Sequence, residues 1–161
     1  MNTLAEADDF DRAMLARAVL EAEQARLAGD RPFGALIAEH GGRLLALGRN
    51  REASNADPTA HAEIDALRSL TPRALGSAAS LTLYASGEPC PQCAAAIFYS
   101  GIRRVVYAVG ADTMRACEEE GAPVLTMGCR EVFAAGSHPV CVVGPVEVEL
   151  GREVLRRHFG R

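Results

Sequence analysis

Apolar positions recur at helical spacing over residues 9–28, where Phe10, Met14, Ala18, Ala22 and Ala25 stand three or four apart with Leu15 and Val19 beside them. Asp8 or Asp9 supplies a start cap and Gly29 a stop. Residues 33–39 and 43–49 then read as two strands. They are joined by His40-Gly41-Gly42, whose glycines accept positive φ without a Cβ clash. Residues 51–58 are polar and punctuated, which predicts a loop. A second helix is expected from Asp57-Pro58-Thr59, capped by Asp57 or Thr59 with Pro58 in its first turn, and with Ile64, Leu67 and Leu70 as its inward stripe. A strand over 81–86, a helix over 91–100 carrying Ala94, Ile97 and Phe98, and a strand over 104–109 follow. The remainder predicts a helix over 112–120, a strand over 140–143 and a last helix over 147–159. Helices alternating with strands in this way describe an α/β layered domain. The second and third helices start at the carboxyl ends of strands, the edge where open α/β sheets hold ligands.

At 161 residues the chain has the size of one domain, read here as residues 1–161. Hydrophobic residues make up 48% and charged residues 24%, a soluble globular balance that excludes disorder and fibrous repeats. The formal net charge of −4 argues against a non-specific grip on nucleic acid, which needs a clustered basic face. No run approaches the roughly 18 apolar residues of a membrane span. The acidic start lacks the basic-then-apolar order of a signal peptide, so a cytoplasmic location is expected. Five cysteines are an odd number for a disulfide framework. Cys117, Cys129 and Cys141 are expected as small buried hydrophobes.

Cys90 and Cys93 are different. Their spacing puts both sulfurs on one face in the first turn of a helix, where the positive helix end favours thiolate. With His61-Ala62-Glu63 they form the order H-x-E followed by P-C-x-x-C, the signature of zinc deaminases. His61, Cys90 and Cys93 supply three ligands and leave one tetrahedral position open, the arrangement of catalytic zinc. Zinc acidifies a water in that position. Glu63, two residues past His61, is placed to move protons from that water to a ring nitrogen and on to a leaving amine. Two other readings of the cysteines exist. One is a thioredoxin-like redox pair, the other a closed structural zinc site with Cys129 as fourth ligand. The carboxylate of Glu63 beside an open metal position is needed by neither.

Three blocks resemble the cytidine-deaminase-like superfamily, in the branch that holds bacterial guanine deaminases and tRNA adenosine deaminases. They are Pro32-Phe33-Gly34-Ala35, Asn50 with Asp57-Pro58-Thr59-Ala60-His61-Ala62-Glu63, and Glu88-Pro89-Cys90-Pro91-Gln92-Cys93. The resemblance implies a three-layer α/β/α fold with a five-stranded mixed sheet, one zinc per subunit, and a homodimer whose partner shapes the pocket. It also implies that Asn50 hydrogen-bonds the base, that Phe33 packs near it, and that the backbone N–H of Ala62 holds a ring carbonyl. Guanine deaminases of this type carry a phenylalanine-aspartate-aspartate stretch where this chain has Cys117-Glu118-Glu119-Glu120. Either Glu118 or Glu119 replaces the base-reading aspartate, or the triplet is a solvated helix end. The expected activity is hydrolytic deamination of a free nucleobase or small aminated heterocycle, guanine to xanthine first. Cytosine, a nucleoside, a triazine or a pterin, and a tRNA adenosine, are the alternatives. Arg103-Arg104 with Arg156-Arg157 is a thin supply of charge for holding RNA.

Overall fold

The computed structural model describes residues 6–146 and 149–160. Helix α1 (Asp9–Leu27) starts at a reciprocal cap. The Asp8 side chain accepts the N–H of Asp11, and the Asp11 side chain accepts that of Asp8. Gly29 follows its end at φ +89°. The hairpin forms as expected, from β1 (Gly34–Glu39) and β2 (Leu44–Arg49), with Gly41 at φ +66° in the turn. With β3 (Leu81–Gly87), β4 (Arg104–Val109) and β5 (Cys141–Val143) it makes one five-stranded sheet in the order β2-β1-β3-β4-β5. β1 runs antiparallel to both neighbours, while β3, β4 and β5 are parallel. The carboxyl ends of β2, β3 and β4 therefore share one edge.

Strand alternation divides the core. Leu36, Ala38, Tyr84, Val106 and Ala108 face α1 and α8 (Glu149–Phe159). Ala35, Ile37, Leu83, Ala85 and Val105 face the opposite layer of α3 (Ala62–Arg68), α5 (Pro91–Ser100) and α7 (Cys129–Ala134). The result is the three-layer α/β/α arrangement. Two glycines set how close the layers come. A Cβ on Gly34 would lie 2.2 Å from the Ala18 carbonyl oxygen, and one on Gly48 would lie 2.1 Å from that of Ala62. Helices α1 and α3 rest on bare backbone at those points.

Several boundaries differ from expectation. The polar stretch 51–58 holds a one-turn helix, α2 (Glu52–Asn55), closed by Ala56 at φ +49°. Asp57 spends its carboxylate on the N–H and hydroxyl of Thr59, so this segment is a turn and α3 starts only at Ala62. The inward face of α3 is Ala62 and Ala66, followed by Leu70. Ile64 and Leu67 are only half-buried, because small residues are what Gly48 admits. Helix α4 (Pro72–Leu75), capped by Thr71, had no sequence expectation, and neither had α7. Helix α6 (Ala111–Cys117) stops before the glutamate triplet, where Glu118 turns extended. Cys129 is fully buried, but Cys117 and Cys141 are only half-buried. The expected start of the last helix at Glu147 lies outside the described residues.

A buried ion pair joins three elements. Arg104 on β4 donates to both carboxylate oxygens of Asp11 on α1 at 2.7 and 2.8 Å, and the Tyr84 hydroxyl on β3 donates at 2.8 Å. Burial pushes the Asp11 carboxyl up. Arg104, the Asp8 N–H and Tyr84 outweigh it and hold the group below its ordinary value. Its contribution to stability is thus fully present above about pH 3.9 and fades as pH falls through the lower native value. Arg104→Met leaves that carboxylate buried without its cation and is expected to cost about 3–5 kcal/mol in urea unfolding. A loss under about 1 kcal/mol is what a solvated surface pair gives, and would show that Asp11 is not committed to Arg104.

Candidate active site

Three side chains from two helix starts meet at the sheet edge. His61 is the residue before α3, and Cys90 the residue before α5. Pro91 opens α5 because its missing N–H costs nothing in a first turn. His61 Nδ1 lies 3.5 Å from Cys90 Sγ and 3.4 Å from Cys93 Sγ. Zinc bond lengths of about 2.05 Å to nitrogen and 2.3 Å to sulfur place two tetrahedral ligands about 3.5 Å apart. The donor set and its spacing therefore fit zinc. Cys129 is not part of the group. It sits buried on α7, its thiol pushed up to about 12 by burial and the nearby Glu88 carboxylate. The closed-site reading loses its fourth ligand, and the position opposite the three donors stays open to the cleft.

Charge is shared closely within the group. The hydrogen bond from Cys93, with His61 adding to it, holds the Cys90 thiol down to about 4 against the effect of burial. The same bond, together with burial, raises Cys93 well above the usual thiol range. Glu63, in the first turn of α3, is 8% exposed, with its Oε2 3.4 Å from Cys93 Sγ. Burial, with the Cys90 charge adding to it, raises the Glu63 carboxyl above its ordinary value. A carboxyl raised in this way holds a proton more readily than an ordinary one, which suits a group that both takes and returns protons. Gln92 ties the start of α5 to the preceding loop by donating to the Thr59 carbonyl at 3.3 Å.

A cleft of about 820 Å³ opens beside these residues. Phe33, Asn50, Glu118 and Glu119 all line it, as does Glu63. Ala62 is wholly buried and does not line it. Its N–H stands at the free start of α3 with no hydrogen bond to another described residue. Asn50 is buried at 2% exposure, and both ends of its amide are taken by Glu52. Its oxygen accepts the Glu52 N–H at 3.1 Å and its NH₂ donates to the carboxylate at 2.6 Å. The glutamate triplet divides: Glu118 forms an ion pair with Arg31, whose guanidinium lies over the Phe33 ring, while Glu119 is exposed. Glu120 is exposed as well and does not line the cleft.

The sequence reading missed four parts of this site. Glu52 and Arg31 were loop residues with no motif to mark them. Glu88 accepts the N–H groups of Ala111 and Cys129 at 3.0 and 3.1 Å, pinning the starts of α6 and α7. Its place directly before Pro89-Cys90 was the available signal. Leu125 and Met127, with Phe159 from the end of α8, add apolar lining that no periodicity marks.

Fold and site together define a metal-dependent deaminase. The chain belongs to the family described as the cytidine and deoxycytidylate deaminase zinc-binding region, which matches residues 8–109. It is 35% identical over 142 residues to a probable cytosine deaminase of Schizosaccharomyces pombe, covering 87% of this chain and 86% of that one. It is 38% identical over 104 residues to the tRNA-specific adenosine deaminase of Haemophilus influenzae, covering 62% of this chain but only 58% of the relative. The solved structure of guanine deaminase from Bacillus subtilis is similar with a TM-score of 0.57 and 38% identity, over 65% of this chain and 68% of that one. Among the described residues no helix is long and apolar enough to cross a membrane.

Proposed function

We propose that the chain is a zinc-dependent hydrolytic deaminase of a free nucleobase or small aminated heterocycle, converting guanine to xanthine and ammonia. The observation that carries this reading is a buried carboxyl, Glu63, beside a three-donor group that faces a cleft of small-molecule size. His61, Cys90 and Cys93 hold the zinc, which when bound lowers the pKa of a water so that a nucleophile is available near neutral pH. Glu63 takes a proton from the attacking water and delivers it to the ring nitrogen next to the amino-bearing carbon. It then takes the second proton, from the hydroxyl that the water has added to the ring carbon, and passes it to the amine, whose bond to that carbon breaks as the carbonyl forms, so that ammonia leaves. Phe33 packs along the ring. Glu118 or Glu119 accepts from the ring's N–H edge.

Guanine is placed first because Glu118 and Glu119 offer acceptors at the cleft, and guanine presents a longer run of donors than cytosine. A ring that leaves such a group unpaired loses about 1–3 kcal/mol. A relative matched over 87% of this chain, the probable cytosine deaminase, supports cytosine as the second reading. RNA is disfavoured by the cleft's charge. Both arginines that line it are already paired, Arg31 with Glu118 and Arg115 with Asp112. The homodimer and the cytoplasmic setting belong to the same proposal.

The test is ammonia release from guanine, cytosine, adenine, their nucleosides and small aminated heterocycles. Guanine, or a ring with a similar donor edge, is expected to outcompete cytosine. Glu118→Gln or Glu119→Gln is expected to lower kcat/KM on it while zinc content stays the same. Faster turnover of cytosine, or indifference to both glutamates, removes the purine assignment. Tight salt-sensitive binding of an anticodon stem-loop moves the reading to tRNA.

A further inference from the structure

We infer that Glu52 positions His61 for metal binding, holding the imidazole by its outer nitrogen so that Nδ1 faces the metal. The inference rests on the proposed ligand set above. It starts from the orientation of the ring. Nδ1 points at both sulfurs, so as a ligand it is the unprotonated nitrogen, and the ring proton sits on Nε2. Glu52 Oε1 lies 3.7 Å from Nε2, and among the described residues no other carboxylate oxygen comes within 4 Å of a nitrogen of this ring. Ligating histidines are oriented through their second nitrogen by a carboxylate, a carbonyl or a water.

The carboxylate is itself held in place. Asn50 clamps it from two sides, through the Glu52 N–H and through Oε2, which leaves Oε1 for the imidazole. Arg31 Nη1 stands 4.0 Å from Oε2 and links the network to Glu118. Glu52 and His61 are both 22% exposed, so their attraction is partly shielded from water. The same clamp explains why Asn50 is buried with its amide occupied. In this chain Asn50 fixes Glu52, and Glu52 fixes the metal ligand.

The experiment is zinc affinity by chelator competition on the full-length chain, comparing wild type with Glu52→Ala, Glu52→Gln and Glu120→Ala. Wild type is expected to bind one zinc. Glu52→Ala is expected to bind it about 10- to 100-fold more weakly. Glu52→Gln, which keeps an acceptor but no charge, falls between. Glu120→Ala removes the same charge away from the cleft and leaves the affinity unchanged. The visible bands of the cobalt-substituted protein are expected to shift in Glu52→Ala and not in Glu120→Ala. Matching unfolding midpoints of metal-free wild type and Glu52→Ala separate positioning from folding. If Glu52→Ala unfolds early, Glu52→Gln, which retains the Asn50 contact, carries the comparison. Equal zinc affinity in wild type and both Glu52 variants overturns this inference and leaves the ligand set standing. A wild-type chain that binds no zinc overturns both.

Discussion

Glu63→Gln is expected to keep its zinc and its fold and to lose about 10²–10⁴ in kcat/KM. The magnitude follows from one carboxyl serving both the water and the departing amine. Glutamine keeps the shape and one acceptor oxygen but cannot carry a proton between them. Stability is expected to hold or to rise. Burial already disfavours the ionised form of Glu63, so a neutral side chain of the same size relieves a cost of folding. Steady-state kinetics, metal analysis and urea unfolding on one preparation read all three. Wild-type turnover in Glu63→Gln removes this residue from the chemistry, and a chain depleted of zinc would make it a ligand instead.

His61→Ala, Cys90→Ala and Cys93→Ala are each expected to weaken zinc binding by more than about 100-fold, beyond the cost of losing an outer partner. Activity should fall to background with them. Cys129→Ala serves as the control, since its thiol is buried on α7 outside the three-donor group. It is expected to lose stability by small cavity formation and to keep its zinc. Metal content by elemental analysis after dialysis decides. Full zinc in both the Cys90 and Cys93 variants ends the proposed ligand set, and zinc lost with Cys129 revives a closed structural site. The open position depends on this distinction, because only three protein ligands leave room for a reacting water.

The redox reading of the Cys90–Cys93 pair is tested by the same variants from another side. Two cysteines whose sulfurs lie within 3.5 Å of a histidine nitrogen, one of them beside a buried carboxyl, are built to bind a cation. A dithiol acting on other thiols gains nothing from Glu63. Zinc-dependent activity that survives thiol-directed reductants is the outcome expected of the metal site.

Much of this was legible in the chain itself. The hairpin, the three later strands, α1 and α5 follow from local periodicity, glycine turns and a proline at a helix start. Each is decided within a few residues. The metal group was legible for a similar reason. Cys90 and Cys93 share one helix turn, and His61 and Glu63 share another, so type and spacing carry the chemistry. What stayed hidden depended on partners far along the chain. Asp57 caps a turn rather than α3 because Thr59 takes its carboxylate. The buried face of α3 is alanine rather than isoleucine and leucine because Gly48 of β2 lets the helix sit directly on the strand. Helix α7 is only six residues long, too short for the spacing of Cys129, Val132 and Phe133 to stand out, and Glu88, 41 residues earlier, holds its first N–H. Glu118 stood as either a base-reading group or part of a solvated helix end, and Arg31, 87 residues away along the chain, forms an ion pair with it. Local patterning determined the elements and the ligands, because those interactions close within one turn or one strand pair. Tertiary structure alone decided which carboxylates face the cleft unpaired and which are spent on holding it. That choice depends on which groups the folded sheet brings within a few ångströms, and no spacing along the chain encodes it.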